Sequence, residues 1–117
     1  MIYFCDNEGI IYECDIIQEG ETFLSLQLKG TNIQKGIKKE AMGKLTIEGI
    51  CAKTKKEIKS ALKQKEEKLY KLWKTIYYQS DWKTYDDFKK FAGKNKEKEL
   101  KRKDTNKRYT ADNCYWE

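Results

Sequence analysis

A run of 25 residues from Thr54 to Tyr78 contains neither glycine nor proline, and its apolar side chains recur at helical spacing. The series advances by four, three, four, three and four residues through Ile58, Leu62, Lys65, Leu69, Leu72 and Ile76. This spacing predicts one long helix over residues 54–79, with a heptad seam that contains one lysine. A small sheet covers little of a helix about 37 Å long. We therefore expect the seam to pair with the same helix of another subunit, in a homo-oligomer. The alternative is that the seam packs on the chain's own sheet.

Residues 1–50 have the pattern of an antiparallel β-meander. Short β-branched and aromatic runs are separated by glycine, aspartate and asparagine, which are turn residues. Three strands are predicted, at residues 2–5, 10–17 and 22–28. Residues 29–43 contain three glycines and are predicted as a loop or a looping hairpin, and residues 44–47 as a further strand.

Two capping patterns mark where helices begin. Thr54 with Glu57 has capping-box spacing, and Thr84 precedes two acidic residues that favour the first turn of a helix. Gly93 is a suitable residue to follow the second helix. We predict an α+β fold in a single domain over residues 1–117. Its segments are an antiparallel sheet (1–50), a long helix (54–79), a short helix (84–92) and a turn-rich closing motif (100–117).

The formal charge of +6 is distributed unevenly along the chain. Residues 1–50 hold eight acidic side chains against five lysines, whereas residues 51–117 hold twenty basic side chains against eleven acidic ones. This asymmetry predicts a phosphate-bearing partner for the second half of the chain, although a lysine-rich helix can also be a solvated face.

Histidine is absent, and the four cysteines have no C-x-x-C spacing, so we predict no metal, no cofactor and free, mostly buried thiols. These thiols indicate a cytoplasmic protein. No run reaches the roughly 18 to 20 apolar residues of a membrane span. We therefore expect no membrane partner.

The closing motif contains Arg102, Asp104, Tyr109, Asn113, Cys114 and Trp116 at the spacing Arg-x-Asp-x-x-x-x-Tyr-x-x-x-Asn-Cys-x-Trp. It resembles the end of phage-encoded HNH and AP2-type proteins. The resemblance extends over less than half of the chain, through Trp82, Tyr85 and Phe88 and through Leu69, Tyr70, Leu72 and Trp73. In active enzymes of that class a histidine base activates water beside a divalent metal.

This chain has no histidine, so we predict that it is not an enzyme. A metal-dependent nuclease that holds Mg²⁺ between Asp104 and Asp112 is the minor alternative.

Groups that bind nucleotides remain in the C-terminal half. Arg102 and Arg108 are the only arginines, and the planar guanidinium binds phosphate through two parallel hydrogen bonds. Aromatic rings can stack on bases, and an amide can read a base edge. The candidate ligand-binding residues are Arg108, Tyr109, Asn113, Phe88, Arg102, Trp73, Tyr77 and Trp116. The alternative is that Trp73 and Trp116 belong to the core and that Asn113 caps its own loop.

The meander, the capped helix and the arginine-rich and aromatic end also resemble phage Thoeris anti-defence proteins. That resemblance implies a sponge in the cytoplasm of an infected bacterial host. It would sequester a cyclic ADP-ribose-type signal, or cyclic di- or trinucleotides, without degrading it, through Arg108, Phe88, Tyr109 and Asn113. The alternative is a DNA-binding protein derived from an HNH or AP2 module, or an inhibitor of a host nuclease complex. A sponge requires concave pockets with arginine and aromatic rings, whereas a DNA-binding protein requires an exposed basic surface.

Overall fold

In the computed structural model, which describes all 117 residues, the chain divides into two units. We call Met1–Gln64 the sheet unit and Lys65–Glu117 the closing unit. The division lies inside the helix predicted over residues 54–79. The single domain predicted over residues 1–117 stays a prediction, because the compactness of each unit does not say whether either folds alone.

The sheet unit contains a curled antiparallel sheet of five strands in the order β4-β3-β2-β1-β5. The strands are β1 (Ile2–Cys5), β2 (Ile11–Glu19), β3 (Phe23–Leu28), β4 (Gln34–Lys38) and β5 (Ile50–Ala52). The α+β class and the N-terminal meander are thereby confirmed. The stretch predicted as a loop or a looping hairpin forms β4 and a 3₁₀ turn at Lys39–Ala41.

The apolar residues of alternate strand positions form the core of the sheet unit. One face buries Ile2, Phe4, Cys14, Leu24, Leu26, Leu28 and Cys51. Helix α1 (Lys55–Leu62) lies against β1 and β5. All four cysteines are free and buried, as predicted, and desolvation raises the pKa of Cys51 to about 12.

The strand predicted at residues 44–47 is wrong, because this segment leads into a tight turn. The backbone N–H of Thr46 donates to the carbonyl of Gly49, and the N–H of Gly49 donates back to the carbonyl of Thr46. Gly49 has a φ of +137°, which glycine adopts readily and other residues do not. Thr46 and Ile47, which the apolar pattern had assigned to a strand, lie in this turn. Strand β5 begins only after it.

The continuous helix predicted over residues 54–79 is also wrong. Helix α1 ends at Leu62, a 3₁₀ turn occupies Lys63–Glu66, and α2 (Lys68–Ile76) begins after Glu67, which is extended at φ −69° and ψ 140°. The six residues from 63 to 68 are all polar, so no apolar stripe holds a helix across them.

Half of the predicted seam is buried within the single chain. Ile58, Leu69 and Ile76 are at most 5% exposed, whereas Leu62, Lys65 and Leu72 are only partly buried. The homo-oligomer predicted through residues 54–79 stays a prediction. None of the helices is both long enough and apolar enough to span a membrane.

The closing unit holds α2, the helix α3 (Tyr85–Ala92) and a two-stranded antiparallel ribbon of β6 (Leu100–Arg102) and β7 (Cys114–Trp116). The short helix predicted over residues 84–92 is confirmed. The Thr84 hydroxyl accepts from the N–H of Asp87 at 3.2 Å, and Gly93 follows the last turn with a φ of +53°.

The Gly49 turn generates a test of the sheet unit. A Cβ at Gly49 would overlap the carbonyl oxygen of Cys5, at a φ that is itself strained for alanine. We expect Gly49→Ala to lower the free energy of unfolding by about 2 kcal/mol or more, measured by urea unfolding with far-ultraviolet circular dichroism. The matched control is Gly36→Ala, where an added Cβ meets no atom within 4 Å. Equal stability of the two variants would contradict this account of the turn.

Candidate functional site

A cluster of aromatic rings forms the core of the closing unit. Trp73 and Phe88 are both 0% exposed, and the indole N–H of Trp73 donates to the carbonyl of Trp82 at 2.9 Å. Trp82 stacks on Phe91 with centroids 4.6 Å apart, and Trp116 packs near Phe91 at 5.8 Å. Two of the predicted ligand-binding residues, Trp73 and Phe88, therefore have no ring surface open to a ligand.

Glu67 joins the start of α2 to α3. Its carboxylate accepts a hydrogen bond from the Tyr85 hydroxyl and pairs with Lys89 at 3.5 Å. Desolvation, followed by the hydrogen bond to Glu67, raises the pKa of Tyr85. Glu67 is the extended residue that precedes α2, so this interaction lies at the interruption between α1 and α2.

The closing loop, residues 103–113, is held together by the side-chain amide of Asn113. Its nitrogen donates to the carbonyls of Asp104 at 3.0 Å and Arg108 at 2.9 Å, and its oxygen accepts from the N–H of Asp104 at 3.0 Å. These contacts occupy both donors and one lone pair of the amide. Asn113, a predicted ligand contact, therefore stabilises its own loop.

Arg108 fastens this loop to the segment that follows α2. Its guanidinium donates to the carbonyls of Ser80 at 2.6 Å and Tyr78 at 3.3 Å, and to the Asp81 carboxylate at 3.2 Å. The side chain nevertheless remains 52% exposed. Two backbone hydrogen bonds reinforce the contact: the N–H of Tyr109 donates to the carbonyl of Gln79, and the N–H of Asp81 donates to the carbonyl of Tyr109. Arg108 is thus anchored and still accessible to solvent.

Arg102 and Tyr109 form a second anchored pair. The guanidinium carbon of Arg102 lies 4.4 Å from the Tyr109 ring centroid, and the group also donates to the carbonyl of Lys107 at 3.0 Å. A guanidinium over a ring is held by cation–π attraction. The structure thus brings four of the predicted residues, Arg102, Arg108, Tyr109 and Asn113, together at the closing loop.

Tyr77 and Trp116 lie apart from the closing loop. Tyr77 packs edge-on against Trp73 with centroids 5.4 Å apart, and Lys83 lies 5.7 Å from its ring centroid. Trp116 is half-buried on the ribbon, and its buried indole N–H has no hydrogen-bond acceptor. These two predicted ligand residues therefore belong to the ring cluster instead of the loop.

Exposed lysines surround the ribbon and the closing loop. Residues 89–108 carry ten basic and three acidic side chains. Among them, five exposed lysines have no ion-pair partner: Lys94, Lys96, Lys98, Lys103 and Lys107. Lys101 differs, because its hydrogen bond and attraction to Glu99 raise its pKa. This part of the closing unit presents a concentrated positive field to solvent.

An open cleft of about 540 Å³ lies on the closing loop. It is lined by Asn106, Lys107, Arg108, Thr110, Asp112 and Asn113. This volume is within the range of small-molecule sites. No aromatic side chain lines the cleft, so it offers cationic and hydrogen-bonding groups without a ring on which a base can stack.

Sequence reasoning missed Asn106, Lys107 and Thr110 as cleft residues. They occupy positions of the closing motif that are not part of its pattern, so only their proximity to Arg108 in the sequence could have pointed to them. Ser80 was also missed, and its burial beneath Arg108 has no sequence signal. The chain contains no group of three or more acidic or cysteine side chains placed to hold a metal ion.

Comparisons of the chain with family models, with curated proteins and with solved structures found no match.

The role of Asn113 can be tested separately from any ligand. Asn113→Ala removes the side-chain hydrogen bonds to Asp104 and Arg108 and a longer one, at 3.5 Å, to the carbonyl of Lys107. At about 1 kcal/mol for each of the three shorter bonds, we expect the closing unit to lose about 2 to 3 kcal/mol of stability. Tryptophan fluorescence during urea unfolding is the appropriate measurement, because all three tryptophans lie in this unit. The matched control is Asn106→Ala, since that side chain is exposed and makes no hydrogen bond. A stability of Asn113→Ala equal to that of the control would argue against the network.

Proposed function

We propose that the closing unit binds duplex DNA through its phosphate backbone. The observation that carries this proposal is the set of five exposed lysines without ion-pair partners, at Lys94, Lys96, Lys98, Lys103 and Lys107. A lysine already paired with a carboxylate loses that partner when it binds phosphate, whereas an unpaired lysine only releases solvent and displaces counterions from the DNA. The unpaired lysines are therefore ready to neutralise phosphates.

The shape of the closing unit supports a backbone contact more than a stacked base. The rings of Trp73 and Phe88 are enclosed in the core. The cleft beside Arg108 has no aromatic lining, and the amide of Asn113 is already used by its loop. A sponge would need a ring on which its base can stack, and the cleft has none, whereas nonspecific DNA binding needs only exposed cations.

Sequestration of a nucleotide signal is the second candidate function. One observation favours it: Arg108 and Asn113, both predicted ligand contacts, line a single cleft of about 540 Å³. In this alternative the protein captures a cyclic ADP-ribose-type or cyclic oligonucleotide ligand in the cleft and releases it intact on denaturation. Recovery of an intact ligand from heated protein, after incubation with a panel of such nucleotides, is the test.

In both proposals the protein binds and does not cleave. The phage origin, the action in the cytoplasm of an infected host and the inhibition of a host nuclease complex stay predictions from the sequence. Incubation with plasmid DNA and Mg²⁺ or Mn²⁺ tests the nuclease alternative. Plasmid cleavage that Asp104→Ala abolishes would refute the proposal that the protein is not an enzyme.

The DNA-binding proposal predicts a specific salt dependence. We expect the variant with Lys94, Lys98 and Lys103 all changed to Gln to bind a 20-base-pair duplex about 10- to 100-fold more weakly. The slope of log K against log salt should fall by about 3, since each lysine–phosphate contact contributes about 0.9. Fluorescence anisotropy of labelled duplex at several salt concentrations measures both quantities.

The matched control changes Lys53, Lys56 and Lys59, in the sheet unit, to Gln. These lysines are exposed and unpaired, and their loss changes the net charge by the same amount. For this control variant, we expect the slope of log K against log salt to stay near that of the unmodified protein. If both variants weaken binding equally, the net charge and not the closing unit determines the affinity, and the proposed site is wrong.

A further inference from the structure

We infer that the cleft on the closing loop is a phosphate-binding site, with Arg108 and Lys107 as its cationic groups and Asp112 as a built-in restraint on its affinity. This inference deepens the proposed function and rests on it where the phosphate belongs to a DNA strand. The shared chemistry is a phosphate ester, whether it comes from a strand or from a free nucleotide.

Arg108 is oriented before any ligand arrives. Three of its five N–H groups are engaged, by Ser80, Tyr78 and Asp81, and the other two have no acceptor in the protein. A guanidinium held in this way loses little rotamer freedom on binding, so more of each new hydrogen bond contributes to affinity. Because the side chain is 52% exposed and lines the cleft, a phosphate can reach the unused N–H groups.

Lys107 supplies the second positive charge. It is exposed, has no carboxylate partner and lines the same cleft. The side-chain amide of Asn106 makes no hydrogen bond in the structure and can donate. The hydroxyl of Thr110 accepts from the N–H of Asn113 at 3.1 Å, which leaves its own proton for a ligand. The cleft thus combines two cations with two neutral donors, and hydrogen bonds from cations to phosphate oxygens are stronger than those between neutral groups.

Asp112 is the one cleft residue whose charge opposes an anion. It is exposed and has no partner among the lysines and arginines. A carboxylate a few ångströms from a bound phosphate repels it, because two like charges at that distance interact appreciably near a protein surface. We therefore expect that removing the negative charge of Asp112 raises the affinity of the cleft for phosphate.

The experiment compares three proteins carrying single substitutions with the unmodified chain. Lys107→Gln should weaken binding to a 20-base-pair duplex about 3- to 10-fold and lower the salt slope by about 1. Asp112→Asn should strengthen binding about 2- to 5-fold at low salt. Neither side chain makes a hydrogen bond in the structure, so both variants should fold. Glu48→Gln, at an exposed carboxylate of the sheet unit, changes the net charge as Asp112→Asn does and should leave binding unchanged.

A double variant shows whether Lys107→Gln and Asp112→Asn change binding at one shared site or only through the net charge. If Lys107 holds the phosphate close to Asp112, its loss lets the phosphate move away from that carboxylate, and the gain from Asp112→Asn should shrink in the Lys107→Gln background. Additive effects, or a gain from Glu48→Gln as large as that from Asp112→Asn, would overturn the inference and leave DNA binding intact.

A second arm identifies the source of the phosphate. ADP and cyclic ADP-ribose are titrated calorimetrically into the same proteins. Duplex binding that depends on Lys107, with weak nucleotide binding, supports a strand phosphate. Nucleotide binding that depends on Lys107, without duplex binding, retains the phosphate site and overturns the DNA proposal. Absence of both kinds of binding overturns both statements.

Discussion

The side-chain amide of Asn113 makes the hydrogen bonds on which the closing loop depends. It ties the carbonyls of Asp104 and Arg108 and the N–H of Asp104 to one point. The loop so formed carries Arg108 to the segment after α2 and provides every lining residue of the cleft. An asparagine is suited to this role because its amide offers two donors and an acceptor in one plane. The surface that would meet a ligand is therefore built on a hydrogen-bonded loop and not on packed side chains alone.

Two kinds of polar group in the closing unit serve different ends. Those that are satisfied internally, such as Asn113 and the Tyr85–Glu67 pair, hold the backbone in place. The unpaired lysines and the unused part of Arg108 remain available to a partner. A buried polar group must find its hydrogen bonds within the protein, whereas an exposed cation can exchange solvent for phosphate. This division is the physical basis for preferring a phosphate ligand over a stacked base.

The sequence predicted the helix caps correctly. The caps at Thr54 and Thr84 hold as hydrogen bonds to Glu57 and Asp87, because capping depends on residues only three apart. The helix over residues 54–79 was predicted wrongly, because heptad spacing describes which side chains align and says nothing about whether a surface is there to cover them. Residues 63–68 are all polar and give a helix no apolar stripe to bury, and the Glu67 carboxylate pairs with Lys89 of α3.

By itself, the sequence determined the α+β class, the meander, the short capped helix and the concentration of positive charge after residue 50. Each of these follows from residue periodicity, from caps a few positions apart or from simple charge counting. Only the tertiary structure decided which of the predicted ligand-binding residues face solvent. Trp73 and Phe88 are buried in the core, and the Asn113 amide is hydrogen-bonded within its own loop. Arg108 is half exposed and lies with Lys107 in the cleft. The same type of residue can be buried in a core, can stabilise a loop or can bind a ligand. Which of these it does depends on neighbours that are distant in sequence, and residue spacing does not reveal them.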